Sequence, residues 1–541
     1  MNPLLYMSLA VLATAARVLG LIGLSIVSGW LISYYAVKSS GFENIFISSI
    51  EVFESVPVIS FFPIVLTVFI FGVGGPLGVE LAADFLVFTA VVWNIWMAQY
   101  QAFKTIPREM LEVSQNFKFT FLERMRFVFI PFSIPRISAN LFPSVSDAFF
   151  YITVSEVFAV GVHNYHTFGV GTVLDAYVAS GQWSHVTDIL IILGIAVVLI
   201  IFALRDFSRR AVAKYALDTD VPIVRRGRLN LRESIRLSAI VSSNPLQKLA
   251  QYNRARRSRN ADDIDDYDVE IRNRNLRPFW IAISATILAL LLYGAYRTVS
   301  SVSVHEWHYL ISQTPTLLLF MLYDYARVAV ITGVAFVFAI FVGYHLAVSR
   351  KAELIGIPIM QVFSSYPAPT YFPFLYLAIY PFIYSIFGQF SGDFFVLFLG
   401  FISTFYYIFY SFWMGVKAMP SEYHEIMENL NLSFFQKMRL VIMPSTFPYL
   451  ISGISSTINS TWGGLEIGEF WPEIIGNHSL SVGQGLMKVI AVATNSGNIA
   501  LAAWASLLFG IVVVFYSILF TRKMMDLAKN KYVAEEGIYA A

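Results

Sequence analysis

The chain has no cysteine among its 541 residues, so it can form no disulfide, zinc–thiolate site or iron–sulfur cluster. Charge is scarce too: 13% of residues are charged against 57% hydrophobic, and apolar runs of about 20 residues recur along the sequence. That balance excludes a water-soluble protein of this length and predicts a multi-spanning membrane protein. No stretch carries the Gly-rich loop followed by Lys and Ser or Thr that cradles nucleotide phosphates, so ATP is not expected to bind this chain. Residues 1–16 hold no Lys or Arg ahead of their apolar run, and are expected to stay in the first span rather than act as a cleaved signal peptide. His163, His166 and His478 fall in outer loops without metal-ligand spacing, so neither a metal nor any other cofactor is expected.

Hydropathy places spans near 4–36, 45–73, 84–103, 134–160 and 186–204, then near 279–296, 326–347, 356–387 (bent), 394–416, 446–470 and 499–520. The expectation is an all-α membrane protein with about 11 transmembrane helices. Between the two sets, residues 205–277 hold 17 of the 37 Lys and Arg and the acidic run Asp262-Asp263-Ile264-Asp265-Asp266. Such a segment cannot enter lipid, and its positive charge places it in the cytosol. The domains read as 1–205, a charged linker at 206–277, and 278–541. A basic cluster at 522–531 puts the C-terminus in the cytosol, and an odd number of crossings leaves the N-terminus outside.

One stretch occurs twice. Residues 107–131 recur as 420–444 at a constant offset of 313, with Glu109, Glu112, Asn116, Met125, Arg126 and Pro131 matching Glu422, Glu425, Asn429, Met438, Arg439 and Pro444. Both copies are amphipathic at helical spacing and sit between apolar segments, which predicts a short helix, a turn and a second helix. At offset 310, Arg17 matches Arg327, and Pro57 and Pro63 match Pro367 and Pro373. Six expected spans separate the two loops, so both lie on one membrane face and the repeat is parallel, unlike the inverted repeats of many secondary transporters.

The duplicated stretch resembles the EAA loop of binding-protein-dependent ABC importer permeases: Glu112 and Pro131, and Glu425 and Pro444, keep its spacing, while Lys118 and Asn431 stand where the family has Gly. That Gly normally supplies a left-handed backbone, which Asn tolerates and Lys tolerates poorly. The resemblance implies two permease repeats in one chain, a coupling helix in each loop docking on two ATPase subunits, and solute delivered by an extracytoplasmic binding protein. Glu109, Glu112, Lys118, Glu422, Glu425 and Asn431 are the implied ATPase-coupling residues, and ATP and Mg would bind the partner. Arg17 and Arg327, Ser365-Tyr366-Pro367, Glu156 and Glu469, and the pairs Gly169-Val170-Gly171 and Gly483-Gln484-Gly485 are similar to the nitrate, sulfonate, taurine and bicarbonate group, which implies a small anionic solute. The glycine pairs are expected at the outer end of short re-entrant helices.

Counting 1.5 Å per residue, Arg17 and Glu156 each lie about 30 Å from the cytosolic end, as do Arg327 and Glu469. An ion pair within each half could hold an outer gate; the alternative is two separately solvated residues. Asp147 lies about 18 Å past Pro135, near mid-membrane, where a carboxylate needs a partner or a wet cavity; its counterpart is Ser460, and Glu466 is a second candidate of this kind. They are expected to line a pathway or a polar seam. Two other functions fit a membrane protein, an ion-coupled secondary transporter and a non-transporting scaffold or sensor. The first predicts inverted repeats with matched intramembrane carboxylates, and the second gives no reason for two loops in register. Nothing suggests nucleic acid.

Overall fold

The structure, a computed structural model, describes residues 2–55, 58, 65–160, 163–215, 302–475, 478–516, 519, 523–524 and 527. The expected span 279–296, most of the linker, Pro57, Pro63 and most of the basic C-terminal cluster lie outside these residues.

Long apolar runs in lipid can satisfy their backbone groups only internally, and helices dominate accordingly. The first part of the chain runs α1 (Pro3–Lys38), α2 (Ser40–Ser55), a π-helical segment Leu66–Val73, α3 (Gly75–Lys104), α4 (Arg108–Asn116), α5 (Phe121–Arg124) and α6 (Ile130–Ser155). A hairpin of β1 (Val157–Val160) and β2 (His163–His166) follows, then α7 (Val170–Ala179) and α8 (Trp183–Tyr215). The second part runs α9 (Val304–Phe338), α10 (Tyr344–Val348), α11 (Arg350–Ser365), α12 (Ala368–Phe387), α13 (Ser391–Lys417), α14 (Ser421–Asn429), α15 (Phe434–Lys437) and α16 (Met443–Glu469). It closes with a hairpin of β3 (Phe470–Ile475) and β4 (His478–Ser481), then α17 (Leu486–Asn495) and α18 (Ile499–Tyr516).

Three features differ from the sequence reading. The outer loops holding His166 and His478 are antiparallel hairpins, so the fold is not purely helical. The bent span 356–387 is two helices: Pro367 has no N–H to give and holds Tyr366 extended, at φ −76° and ψ 120°, which ends α11. Among the described residues six stretches are long and apolar enough to cross a membrane, Pro3–Lys38, Gly75–Lys104, Trp183–Ala211, Val304–Val348, Ala368–Lys417 and Ile499–Tyr516, and Ala368–Lys417 holds two of the expected spans. Helices α6 and α16 are not among them. They carry Ser133, Ser138, Ser144 and Ser146, and Thr446, Thr457 and Thr461, all buried against protein. Several of these hydroxyls donate to the carbonyl one turn back, so they need no outside partner.

Helix α3 packs against α6, and α13 against α16. One apolar core gathers Val18, Ile95 and Phe149, and another gathers Phe395, Trp462 and Phe509. The two parts also exchange elements: α11 packs on α6 and α8, while α2 packs on α18. Tyr366 donates to the Leu190 carbonyl at 2.8 Å, and Ser146 and Ser365 lie 3.0 Å apart at this seam.

Candidate functional site: paired loops, buried ion clusters and a central cavity

The two loops have the same local architecture. Helix α4 ends with Lys118 left-handed at φ 49°, and α14 with Asn431 left-handed at φ 46°. These are the positions where the resembled motif has Gly. The Phe119 amide donates to the Ser114 carbonyl at 3.0 Å and the Lys118 amide to Gln115 at 2.7 Å, while Leu432 donates to Met427 at 3.2 Å and Asn431 to Glu428 at 2.9 Å. This double closure satisfies carbonyls that a helix end otherwise leaves open, and it offsets the steric cost of the left-handed residue. The next helix starts on a capping box in each copy, Thr120 with Glu123 and Ser433 with Gln436.

Glu109, Glu112, Lys118, Glu422, Glu425 and Asn431 are all exposed. The sequence reading missed the apolar side chains among them. Val113, Phe117 and Leu122 are exposed, and so are Ile426, Leu430 and Phe435, again at offset 313. Three apolar residues on so small a surface, repeated at matched positions, form a contiguous exposed patch of the kind that interaction sites present. The missed signal was the apolar stripe of an amphipathic helix that no described element of this chain covers. Lys118→Gly should raise the unfolding midpoint, by about 0.5–1 kcal/mol of stability, because Gly adopts the left-handed conformation without steric cost; Lys118→Val should lower it. Thermal unfolding of the purified protein measures both, and equal effects of Gly and Val would contradict this account.

The structure brings Arg17 to Glu156 and Arg327 to Glu469, at 3.2 and 2.8 Å. Neither glutamate is solvated, since both are 0% exposed. Each pair belongs to a larger cluster. Arg17 also binds Glu80, and Arg327 also binds Asp393 at 2.7 Å and Asp324 at 3.1 Å. Thr14 donates to Glu156 at 2.6 Å and accepts the Val170 amide at 2.9 Å; Asp324 accepts the Leu486 and Met487 amides at 2.8 and 3.1 Å. Glu156 accepts the Gly171 amide at 2.7 Å, and Glu469 the Lys488 amide at 3.0 Å.

The carboxylates therefore sit on the first amides of α7 and α17, which have no intrahelical partners and carry the positive end of the helix dipole. A Cβ at Gly169 would lie 2.0 Å from a Glu156 oxygen, and one at Gly485 would lie 2.0 Å from a Glu469 oxygen. Only Gly leaves room for the carboxylate there. Gly169 thus corresponds in space to Gly485, so the two Gly-x-Gly pairs do not align in register. Each precedes a short helix, as expected.

Arg17→Gln should cost about 3 kcal/mol by stranding a buried carboxylate. Adding Glu156→Gln removes that charge while keeping an acceptor for the Gly171 amide. A coupling above about 1 kcal/mol in an unfolding double-mutant cycle supports the cluster, and additivity within about 0.5 kcal/mol refutes it.

Asp147 is 6% exposed and is held from across the seam. Tyr406 donates to one of its oxygens at 3.0 Å and Tyr407 to the other, and Ser460 hydrogen-bonds the Tyr407 side chain. Asp147 and its counterpart Ser460 line one cavity of about 40 Å³, with Thr89, Trp93, Asn94, Tyr151, Ser456 and Asn459. Glu466 stands within electrostatic reach of Tyr151.

No curated protein matches the chain. Residues 335–527 match the family described as binding-protein-dependent transport system inner membrane component.

Proposed function

We propose that the chain is a complete two-half permease of an ABC importer, with both halves of the pathway in one polypeptide. The observation that carries this reading is the pair of loops with matched backbone geometry, matched caps and matched exposed apolar residues, only one of which falls inside the family match. Each loop helix would dock on one of two separate ATPase subunits, and ATP binding by that pair would move both loops together. An extracytoplasmic binding protein would deliver a small solute to the opposite face, the loops, linker and C-terminus being cytosolic.

The seam between α6 and α16 supports a parallel rather than an inverted repeat. Arg136 lies within electrostatic reach of its own counterpart Tyr449, and Asp147 shares a cavity with its own counterpart Ser460, eleven residues further along each helix. Like positions meeting at two levels require helices that run the same way about a two-fold axis. An inverted repeat would bring unlike positions together, which speaks against the ion-coupled secondary transporter. The family resemblance implies an anion as solute, and the chemistry of the cavity, taken up below, argues otherwise.

Burying one apolar side chain at a docking patch is worth about 1.5–3 kcal/mol. Phe117→Ser together with Leu430→Ser should therefore weaken association with the ATPase by about a hundredfold or more, with insertion and unfolding midpoint unchanged. Pull-down of the ATPase subunit reads this, and undiminished association would refute the docking role. Sidedness has its own check in this Cys-free chain: Gln115→Cys and Ser433→Cys should both be labelled only from the cytosolic side. Labelling from opposite sides would refute the parallel repeat.

A further inference from the structure

On that two-half reading, we propose that the cavity at the seam is a cation-selective site that takes the protonated amino group of a small organic solute. Among the described residues its lining contains no Lys, Arg or His. The charge on its wall is the Asp147 carboxylate, fixed by hydroxyls of Tyr406 and Tyr407, and Glu466 lies within electrostatic reach of Tyr151. Two aromatic side chains, Trp93 and Tyr151, line the wall beside the apolar Val58 and Ala90, and an aromatic face attracts a cation and repels an anion. Asn94, Ser456 and Asn459 also line the cavity and make no hydrogen bond within the chain among the described residues. Their oxygens are acceptors for the N–H groups of an ammonium.

Arg136, the nearest basic residue along α6, lies eleven residues or about 16 Å along the helix from Asp147 and is not among the residues that line the cavity. At about 40 Å³ the cavity admits a charged head group and excludes a bulky solute in this conformation. A pathway built for nitrate, sulfonate or bicarbonate would carry the opposite charge at this point.

The test uses the purified full chain in lipid nanodiscs and reads its unfolding midpoint against methylammonium chloride, with sodium chloride, sodium nitrate and sodium bicarbonate at equal ionic strength as comparisons. Methylammonium is expected to raise the midpoint with a saturable dependence on concentration, and the three sodium salts are not. Asp147→Asn should weaken the apparent affinity about tenfold or more, and Trp93→Leu several-fold, so the proposal remains testable if one variant fails to fold. A shift with nitrate or bicarbonate, an equal methylammonium shift in both variants, or no shift with any salt would each overturn it. Loss of ATPase association is read in a separate assay, so failure of the permease reading is distinguishable from failure of the cation site.

Discussion

Two carboxylates, each buried at the start of a ten-residue helix, hold the elements around them together. Helices α7 and α17 are too short to be stable alone, and their first amides face the interior with no intrahelical acceptor. Glu156 and Glu469 supply that acceptor, and Arg17 and Arg327 neutralise the buried charge. The arginines in turn reach Glu80 and Asp393 on α3 and α13, so one polar cluster ties α1, α3, α6 and α7 together, and a second ties α9, α13, α16 and α17. Every member of a cluster lies within its own half. On the two-half reading, a pair of that kind would not link the halves to each other, since they could separate without breaking it. The clusters are better read as braces that let each half move as a rigid body.

On the proposed reading, the loops give the braces a use. A signal from an ATPase reaches the pathway only if loop and core move as one piece. Here the turn after each short helix is closed by two backbone hydrogen bonds and followed by a capping box, which leaves little freedom between α4 and α6 or between α14 and α16. That rigidity is obtained at the cost of a left-handed Lys118 and Asn431, the only non-Gly residues with positive φ among those described. Backbone strain of this sort persists where the surroundings over-determine it, and both instances fall on the surface proposed to meet the ATPase.

How much of this was legible in the sequence follows from how local each feature is. The helix–turn–helix of each loop depends on residues within one stretch, so the spacing from Glu109 to Pro131 and its copy from Glu422 to Pro444 displayed it. The pairing of Arg17 with Glu156 followed from depth alone, since a rise per residue fixes height in a membrane. Helix rotation is not fixed that way. Glu80, Asp393, Thr14 and Asp324 were missed because nothing in a single sequence says which face of α3 or α1 turns toward the cluster. The glycine pairs stand two residues out of register in space, because the second hairpin is longer and irregular between Trp471 and Ile475, which shifts everything after it. The apolar residues of the loops were overlooked because charged residues stood out against an apolar chain, although exposed Phe117 and Leu430 are the rarer observation on a surface.

The seam between the halves combines symmetry with one departure from it. Around a two-fold axis, a residue and its counterpart face each other across a short distance. Two carboxylates about 5–6 Å apart would repel by about 3 kcal/mol at an effective dielectric constant near 20. A permease assembled from two identical subunits has no escape from such a pairing, since any acid on the axis is present twice. A fused chain can place Asp147 on one side and Ser460 on the other, linked through Tyr407, and so keep one negative charge where two would be unstable. On this reading the fusion of the two halves and the charge of the cavity are one adaptation: the single chain is what allows a lone, well-held carboxylate to sit on the axis of the pathway.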